Sequence, residues 1–345
     1  MRILAIDMGT GTAKAAVVGR DGRIAGRGAH PISTQHLPKG GAEQDPEEWW
    51  RAVVSASRDA LAEAGTSPED VIAVRCTTQW AVTVPVDAAG NALTNAISWM
   101  DTRGGRYVRE LVGGPVKVAG YDVRKLPRWI GRSGGAPVLS GVDGLGHVLH
   151  LKNERPEVYE ATSSFLEPMD YLNLRLTGRA CASSGTMFPY WLTDIRDARE
   201  VRYDEALLRW AGIEEAKLPE ILAMDSVIGE LTAEAAEELG LRRETKVLAG
   251  LSDAQAASVA AGVVEPGHGY FSIGTTSWLA ALVAKKKTDI RTQITTMPAG
   301  IPGWHQIVAE QGPAGQCLEH LASVLAPEAT LDELEAEAAE APPGS

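Results

Sequence analysis

The sequence predicts an α/β protein of two lobes that face each other across a cleft, with the second lobe incomplete. Residues 3–18 and residues 269–283 share one pattern, in which an apolar strand, a bend of glycine and threonine and a second apolar strand follow one another. The two copies lie roughly 265 residues apart, which would place one in each of two duplicated lobes. Between them, the continuous apolar strand at residues 71–74 is typical of a sheet covered by helices on both faces.

Composition excludes several classes of protein. The chain has 345 residues, 44% of them hydrophobic and 23% charged, which suffices for two domains or one large one with a buried core. A net charge of −12 argues against nucleic acid or an anionic membrane as a general partner, although a local loop can still bind an anion. The three cysteines, Cys76, Cys181 and Cys317, lack metal-ligand spacing and favour a reducing compartment. With no signal-like segment and no apolar run of about 18 residues, we expect a cytoplasmic protein without a membrane partner.

The first glycine-rich bend has the residue types of a phosphate site. Asp7 ends the first strand, and the bend that follows consists of Gly9, Thr10, Gly11 and Thr12. Glycine lets the backbone approach a ligand closely, and a row of N–H donors suits phosphate oxygens. A carboxylate beside such a loop is where a divalent cation bridging phosphates would be held. The alternative is an ordinary hairpin with a Gly/Thr-rich bend.

The remaining elements follow from periodicity and end signals. Strands are predicted at residues 2–7, 13–19 and 23–30, with a tight turn at Asp21-Gly22. Asp45 followed by Pro46 predicts the start of a helix, which ends at Gly65. Further helices are predicted at residues 145–153, 171–177, 204–211, 232–239, 314–325 and 331–341. Residues 113–145 are rich in glycine and are predicted to be loops.

Polar and aromatic residues follow the ends of consecutive strands. Gln79 and Trp80 come after the strand at residues 71–74, and Asp101 and Arg103 follow a later short strand. Ligands collect at the carboxyl ends of strands in open α/β sheets. Polyols need acceptors such as Asp, donors such as Arg or Gln, and an aromatic face, so these residues form a candidate polyol-binding rim. The alternative for Asp101 and Arg103 is a surface ion pair that contributes little stability.

Asp253 follows a predicted strand at residues 245–250 and begins a helix of small residues. It is either a plain N-cap or a general base aimed into a cleft, which the positive end of the helix would keep ionised. The second glycine-threonine bend follows, with Gly274, Thr275 and Thr276. Ser272 stands there where Asp7 stands in the first copy, so only the first copy could serve a metal. Two facing phosphate-binding hairpins are the layout of actin-like ATPase folds.

From residue 1 to about residue 325, the chain resembles the FGGY carbohydrate kinase family, most of all its xylulokinase-like members. The motifs that carry the resemblance are Ile6-Asp7-Met8-Gly9-Thr10, Glu43-Gln44-Asp45-Pro46-Glu47-Glu48-Trp49-Trp50, Ile97-Ser98-Trp99-Met100-Asp101-Thr102-Arg103, Met169-Asp170-Tyr171-Leu172, Leu176-Thr177-Gly178, Ala249-Gly250 with Asp253, and Ser272-Ile273-Gly274-Thr275-Thr276-Ser277.

The resemblance implies two RNase H-like lobes, with the sugar and ATP meeting between them. Residues 1–246 would form the N-terminal lobe, with sugar-binding residues and the first phosphate loop. Residues 247–345 would form part of the C-terminal lobe. Asp253 would take the proton from the sugar hydroxyl that attacks the γ-phosphate, and Asp7 would hold Mg²⁺.

The resemblance also assigns the remaining contacts. The two loops would bind the phosphates of ATP, with Lys14 beside the first of them. The sugar would contact the strand-end residues and the base; these are Gln79, Trp80, Asp101, Arg103 and Asp253. Dimerisation is an expectation from the family alone.

Two features depart from the family pattern. Xylulokinases carry Gly-Gln-Met-His-Gly where this chain has Thr78-Gln79-Trp80-Ala81-Val82, and the residue after the base, usually Asn or Gln, is Ala254. We therefore expect an ATP-dependent sugar kinase, with a ketopentose such as D-xylulose as the first candidate. Ribulose, gluconate or a pentitol are alternative substrates, and a non-catalytic sugar sensor is the alternative function. An actin-type chaperone or polymerising ATPase is disfavoured by the polyol-binding rim.

The length of the chain is a further departure. After Thr276 the sequence offers too few residues to complete a second five-stranded sheet or to supply the glycine-rich turn that binds adenine in the family. The resemblance therefore predicts a chain truncated at its C-terminus.

Overall fold

A computed structural model of the chain describes residues 1–273, 276–289, 292 and 294–342. The elements up to residue 112 are β1 (Arg2–Met8), β2 (Thr12–Gly19), β3 (Ile24–Pro31), β4 (Gln35–Leu37), β5 (Gly41–Gln44), α1 (Pro46–Glu63), β6 (Val71–Thr78), β7 (Val84–Val86), β8 (Ala96–Ile97) and α2 (Gly105–Val112). Those that follow, up to residue 203, are β9 (Lys117–Val118), β10 (Tyr121–Asp122), α3 (Leu126–Ser133), α4 (Gly144–Glu154), α5 (Pro156–Ala161), β11 (Ser164–Leu166), α6 (Pro168–Thr177), β12 (Cys181–Ser183), β13 (Thr193–Asp194) and β14 (Arg202–Tyr203).

The remaining elements are α7 (Glu205–Ala211), β15 (Glu220–Leu222), β16 (Val227–Glu230), α8 (Ala233–Leu239), β17 (Lys246–Ser252), α9 (Asp253–Ala260), β18 (Gly269–Ile273), β19 (Thr276–Val283), β20 (Ile294–Pro298), β21 (His305–Pro313), α10 (Gly315–Leu325) and α11 (Leu331–Glu340). Short 3-10 turns occur at Pro38–Gly40, Pro68–Asp70, Phe188–Tyr190 and Glu215–Lys217.

The first lobe is built on a six-stranded sheet in the order β16-β17-β6-β1-β2-β3. Strands β1, β2 and β3 form the predicted antiparallel meander, whereas β6 runs parallel to both β1 and β17. The carboxyl ends of β1, β6 and β17 therefore meet at one edge of the sheet, where open α/β sheets bind their ligands.

Helix α1 covers one face of this sheet and begins where the sequence predicts. Asp45 is the N-cap, and its carboxylate accepts a hydrogen bond from the Glu47 N–H at 2.9 Å. Trp49 and Trp50 are buried in the core of the lobe. The helix lies so close to β3 that a Cβ on Gly28 would be 2.1 Å from the Ala56 carbonyl oxygen, which explains the glycine there.

A second hydrophobic core lies under α2, α3, α4, α5 and α7. The prediction of loops over residues 113–145 is wrong in part, because α3 occupies Leu126–Ser133. Trp129 of α3 is fully buried, and its indole N–H donates to the Trp191 carbonyl at 3.1 Å. Leu126, Trp129 and Ser133 form its buried face at helical spacing, a periodicity that the surrounding glycines obscure in the sequence.

Strands of the second copy of the motif form a separate sheet, in the order β18-β19-β21-β20 among the described residues. Hydrogen bonds join this sheet to the rest of the chain. The Gly134 carbonyl, beyond the end of α3, accepts from the Thr296 N–H at 3.0 Å and from the Thr288 hydroxyl at 2.8 Å. The side chain of Gln255 donates to the Pro298 carbonyl at 2.7 Å. The second sheet is thus anchored to α3 and to α9.

The sequence predicts that the first lobe ends at residue 246, whereas the pairing of the next strand favours a later boundary. The strand that begins there, β17, pairs with β6 inside the first sheet. We therefore propose that the first lobe extends through β17 and that the second begins beyond α9.

In the part of the chain that the structure describes, no helix is both long enough and apolar enough to cross a bilayer.

Candidate active site

The bend between β1 and β2 is the predicted first phosphate loop, formed by Gly9, Thr10, Gly11 and Thr12. It is closed by a hydrogen bond from the Gly9 N–H to the Thr12 carbonyl at 3.0 Å. A Cβ added to Gly11 would meet no atom within 4 Å, so the space above this part of the loop is open. Open space beside a glycine backbone fits the close approach of a phosphate group.

Asp7 and Lys14 lie opposite each other on β1 and β2, directly beside this bend. The Lys14 ammonium is 3.7 Å from the Asp7 carboxylate, and both side chains are about half exposed. One cation and one hard oxygen donor therefore stand at the mouth of the loop, a combination that suits a metal-bound polyphosphate.

Asp253 lies at the same edge of the sheet, on the far side of β6. Asp7 pairs with Thr77 of β6, and Ser252, the last residue of β17, pairs with Thr78. Neighbouring strands are about 4.8 Å apart, so the backbones of β1 and β17 are separated by roughly 10 Å. This spacing lets the Asp7 and Asp253 carboxylates face a ligand of phosphate size between them.

The electrostatics of Asp253 match those of a general base. Its side chain is exposed to solvent, but the protein atoms around it partly desolvate the carboxylate, and this desolvation raises its pKa to about 6. The Ala254 N–H, at 2.7 Å from the carboxylate, lowers the pKa, and the charge of Asp7 raises it. The positive end of the helix was expected to keep Asp253 ionised by lowering its pKa, but desolvation outweighs that effect. A pKa near 6 still leaves the carboxylate mostly ionised at neutral pH.

Asp253 is not the N-cap of α9, because Ser252 occupies that position. Gln255, which is fully buried, accepts hydrogen bonds from the Ser252 N–H at 3.0 Å and from its hydroxyl at 3.2 Å. Sequence reasoning missed Gln255, although Ser-x-x-Gln ahead of a helix is a recognised capping pattern. The cap leaves the Asp253 carboxylate available for other contacts.

The predicted sugar residue Gln79 and the phosphate loop form one hydrogen-bonded unit. The Thr10 hydroxyl donates to the Gln79 side-chain carbonyl at 3.0 Å, and the Gln79 amide donates to Gln44 at 2.6 Å. Gln44 is fully buried and donates in turn to the Thr10 carbonyl at 2.7 Å. Gln44 was not predicted as a site residue, although it lies in the motif that precedes α1.

Two tryptophans border this unit. The Trp99 indole N–H donates to the Thr10 hydroxyl at 3.0 Å, while the side chain stays 44% exposed. Trp80 stacks on Phe188 with ring centroids 5.8 Å apart and planes inclined by 16°. Both rings offer apolar surface beside polar groups, which is a typical lining of a sugar site.

Asp101 and Arg103 form a buried ion pair that also includes Glu43. The Arg103 guanidinium donates to Asp101 at 2.8 Å and to Glu43 at 2.6 Å, and the Ala42 N–H donates to Asp101 at 2.9 Å. Burial acts to raise the pKa of Asp101, but the hydrogen bonds from Arg103 and Ala42 outweigh it and hold the pKa below its ordinary value. The ion pair expected as an alternative to the rim does form. It is buried, however, and not on the surface as that interpretation assumed.

The predicted second phosphate loop lies only partly within the described residues. Gly274 and Thr275 lie outside the described residues, and Thr276 opens β19, where its backbone pairs with Pro313. The preceding strand, β18, reaches α9, since the Tyr270 hydroxyl lies 3.5 Å from the Ala254 carbonyl. Burial and the charge of Asp253 raise the pKa of Tyr270 to about 12. Strand β18 therefore lies beside the first turn of α9, close to Asp253.

A divalent metal at this site would rely on few protein ligands. Within the described residues, no group of three or more His, Cys, Asp or Glu side chains has the geometry of a metal site. Magnesium is commonly held by one or two carboxylates together with substrate phosphates, so the half-exposed Asp7 beside an open glycine loop fits this cation.

Comparisons with known proteins agree with this arrangement. Residues 2–260 match the N-terminal domain of the FGGY family of carbohydrate kinases. The chain is 24% identical to a xylulose kinase of Bacillus subtilis over 343 residues, covering 96% of this chain and 64% of that protein. It is 30% identical to a glycerol kinase of Thermococcus gammatolerans over 312 residues, covering 87% of this chain and 58% of that protein.

A solved structure, the xylulose kinase from Rhodospirillum rubrum, superposes with a TM-score of 0.88 at 25% identity, covering 100% of this chain and 68% of that one. The predicted fold, two actin-like ATPase lobes with the second incomplete, is confirmed. The chain spans between half and two thirds of the length of curated relatives that it matches. Because the family match covers most of the chain, the protein belongs to the FGGY family of carbohydrate kinases.

Proposed function

We propose that the protein is an ATP-dependent sugar kinase in which Asp253 is the general base. The observation that carries the proposal is the placement of Asp253 and Asp7 on either side of β6, with the pKa of Asp253 raised to about 6. A base whose pKa lies just below neutrality is ionised in the working enzyme and still accepts a proton readily.

The proposed mechanism assigns each step to a residue. Asp253 accepts the proton of the attacking sugar hydroxyl while Gln79 and Trp80 orient the sugar ring. Gly9, Thr10, Gly11 and Thr12 hold phosphates through their backbone, since the Thr10 hydroxyl is engaged with Gln79. Gly274, Thr275 and Thr276 would bind phosphates from the other side. Phosphoryl transfer depends mainly on such positioning and on neutralising charge.

Asp7 is the proposed holder of Mg²⁺, which when bound would neutralise charge on the β- and γ-phosphates of ATP. Lys14, at 3.7 Å from Asp7, adds a second positive charge at the same loop. Asp101 and Arg103 are also proposed to contact the sugar, in addition to the hydrogen bonds that they form with each other.

The proposed substrate is a ketopentose such as D-xylulose, because two of the similar proteins named above are xylulose kinases. Ribulose, gluconate or a pentitol remain the alternatives, since a glycerol kinase is also among the relatives and the loop Gln79–Trp80–Ala81 differs from that of xylulokinases. A non-catalytic sugar sensor is disfavoured by Asp253, since a binder needs no base.

ADP release by the purified protein, measured across pentuloses, pentitols, hexoses, gluconate and glycerol, tests this proposal. We expect one ketopentose to give the highest kcat/KM. Stimulation by another sugar class would revise the substrate. Sugar binding without any ADP release in the presence of ATP and Mg²⁺ would instead support the sensor.

Turnover is expected to fall as pH decreases through about 6, because the base must be ionised and its pKa is raised to about 6. Below that pH, log(kcat/KM) should fall by about one for each pH unit, with no loss between pH 7 and 8. Tryptophan fluorescence recorded over the same range controls for unfolding. A rate that stays constant down to pH 5 would contradict Asp253 as the base.

A cytoplasmic location and dimer formation complete the proposal. Cys76 and Cys181 are buried and free and Cys317 is exposed and free, as expected for a reducing compartment. Size-exclusion chromatography with light scattering gives the oligomeric state.

A further inference from the structure

The loop that follows β6 contains an unusual backbone turn. Gln79 is anchored by its N–H, which donates to the Met8 carbonyl at 2.8 Å. Two residues later, Ala81 has a φ of 57°, in the left-handed region. This conformation costs a residue with a Cβ on the order of 1 kcal/mol, so surrounding contacts must hold it. Trp80, between these two residues, projects a ring onto Phe188.

Glu167 supplies such a contact from another part of the chain. Strand β11 pairs with β7, with Leu166 opposite Val84, and this register brings Glu167 next to the loop. The Val82 N–H donates to the Glu167 carboxylate at 3.3 Å, and the side chain is almost completely buried. Glu167 is also the N-cap residue of α6, but its side chain makes no capping hydrogen bond to that helix.

The environment of Glu167 favours its neutral form. Burial raises its pKa well above the ordinary range, and the charges of Asp170 and Asp253 raise it further, whereas the N–H groups of Val82 and Ala81 lower it. One carboxyl oxygen accepts from Val82, while the other has no hydrogen-bond partner among the described residues. A buried acid with an unused oxygen is costly, which argues for a role beyond packing.

We propose that Glu167 is a positioning residue that holds the turn at Ala81 and thereby sets where Gln79 and Trp80 meet the substrate. The effect on a sugar rests on the proposed kinase function. The effect on the loop backbone does not, because it follows from the contact with Val82 alone.

The first test needs no substrate. Glu167→Met removes the acceptor with little change in volume, and amide hydrogen exchange at Val82 should then speed up about tenfold, the loss of roughly one buried hydrogen bond. Glu167→Gln imitates the neutral acid and should keep Val82 protected. Glu167→Gln is therefore the matched control, since it keeps a hydrogen-bond acceptor at the same position. Unchanged Val82 protection in Glu167→Met would overturn the proposal.

The second test measures KM and kcat with the sugar that the wild-type protein turns over best. Glu167→Met should raise the sugar KM about tenfold, with a smaller effect on kcat, and Glu167→Gln should restore it. Ala81→Gly, which relaxes the left-handed turn, should change KM non-additively with Glu167→Met in a double-mutant cycle. A lower melting temperature with an unchanged KM would show a merely structural role and overturn the proposal.

If Glu167→Met does not fold, Glu167→Asp serves instead, since it keeps the carboxyl but withdraws it from Val82. It should raise both the Val82 exchange rate and the sugar KM, and an unchanged pair of values would overturn the proposal. A wild-type protein that neither binds nor phosphorylates any sugar, but whose Val82 exchange responds to Glu167→Met, would refute the kinase function and leave the loop contact standing.

Discussion

Replacement of Asp253 with asparagine is expected to lower sugar-dependent turnover about 10²- to 10⁴-fold, the range associated with loss of a general base. Asparagine keeps the size of the side chain but cannot take the proton of the attacking hydroxyl. Sugar affinity should change by less than about threefold, because the lost interaction is needed mainly in the transition state. Steady-state kinetics combined with calorimetric titration of the sugar separate the two effects.

The same variant is expected to be more stable at neutral pH. The pKa of Asp253 is about 6 in the folded protein against an ordinary 3.8, so the folded state holds this proton more tightly than the unfolded state. Protonated Asp253 therefore contributes to the stability of the folded protein below pH 3.8, and this contribution is lost as pH rises through 6. Because the side chain is partly exposed, we expect Asp253→Asn to gain at most about 1 kcal/mol at pH 7.

Asp332→Asn, an exposed change in the first turn of α11, is the control for removal of one negative charge. It should leave turnover unchanged and, because a carboxylate in the first turn favours the helix, should lower stability by no more than about 1 kcal/mol. An Asp253→Asn protein that retained more than about a tenth of the parent turnover would show that another group accepts the proton.

Replacement of Arg103 with methionine is expected to reduce the free energy of unfolding by about 3–5 kcal/mol, the usual cost of removing one partner from a buried pair. The side chains of Asp101 and Glu43 are only 1% and 12% exposed, and both carboxylates accept from the Arg103 guanidinium. Without that cation, Asp101 would keep two backbone donors, the N–H groups of Ala42 and of position 103, and an uncompensated charge. Urea denaturation followed by tryptophan fluorescence measures the change.

The matched control is Arg51→Met, which breaks an ion pair with Asp45 whose side chains are 66% and 39% exposed. It should cost less than about 1 kcal/mol, because exposed pairs are well solvated. If Arg103→Met unfolds at the same urea concentration as the parent protein but loses sugar affinity, Arg103 acts on the substrate and the structural role is refuted.

Local patterns account for what could be predicted from the sequence. The hairpin of β1 and β2 depends on two apolar runs and the bend between them, and the start of α1 depends on Asp45 and Pro46. Both signals lie within a few residues of the feature that they predict. Trp129 marks the opposite case, since the helix that buries it is surrounded by glycines and is stabilised by contacts with distant elements.

The candidate site shows the same limit. The pairing of Asp101 with Arg103 follows from their spacing, but its burial depends on Glu43, which lies far away in the chain. Gln44 and Glu167 were missed because their contacts, with Gln79 and Val82, join segments 35 and 85 residues apart. No short-range pattern distinguishes such side chains from ordinary core or cap residues.

The edge of the first sheet has a consequence for engineering the protein. Asp7 lies near the end of β1, and Gln79 and Asp253 directly follow the neighbouring strands β6 and β17, so interstrand hydrogen bonds maintain the distances among them. Any hinge motion of the second sheet would leave these distances unchanged and move only the opposite wall of the cleft. Specificity could then be redesigned by grafting new residues into the loop after β6 while the rigid platform that carries the carboxylates stays intact.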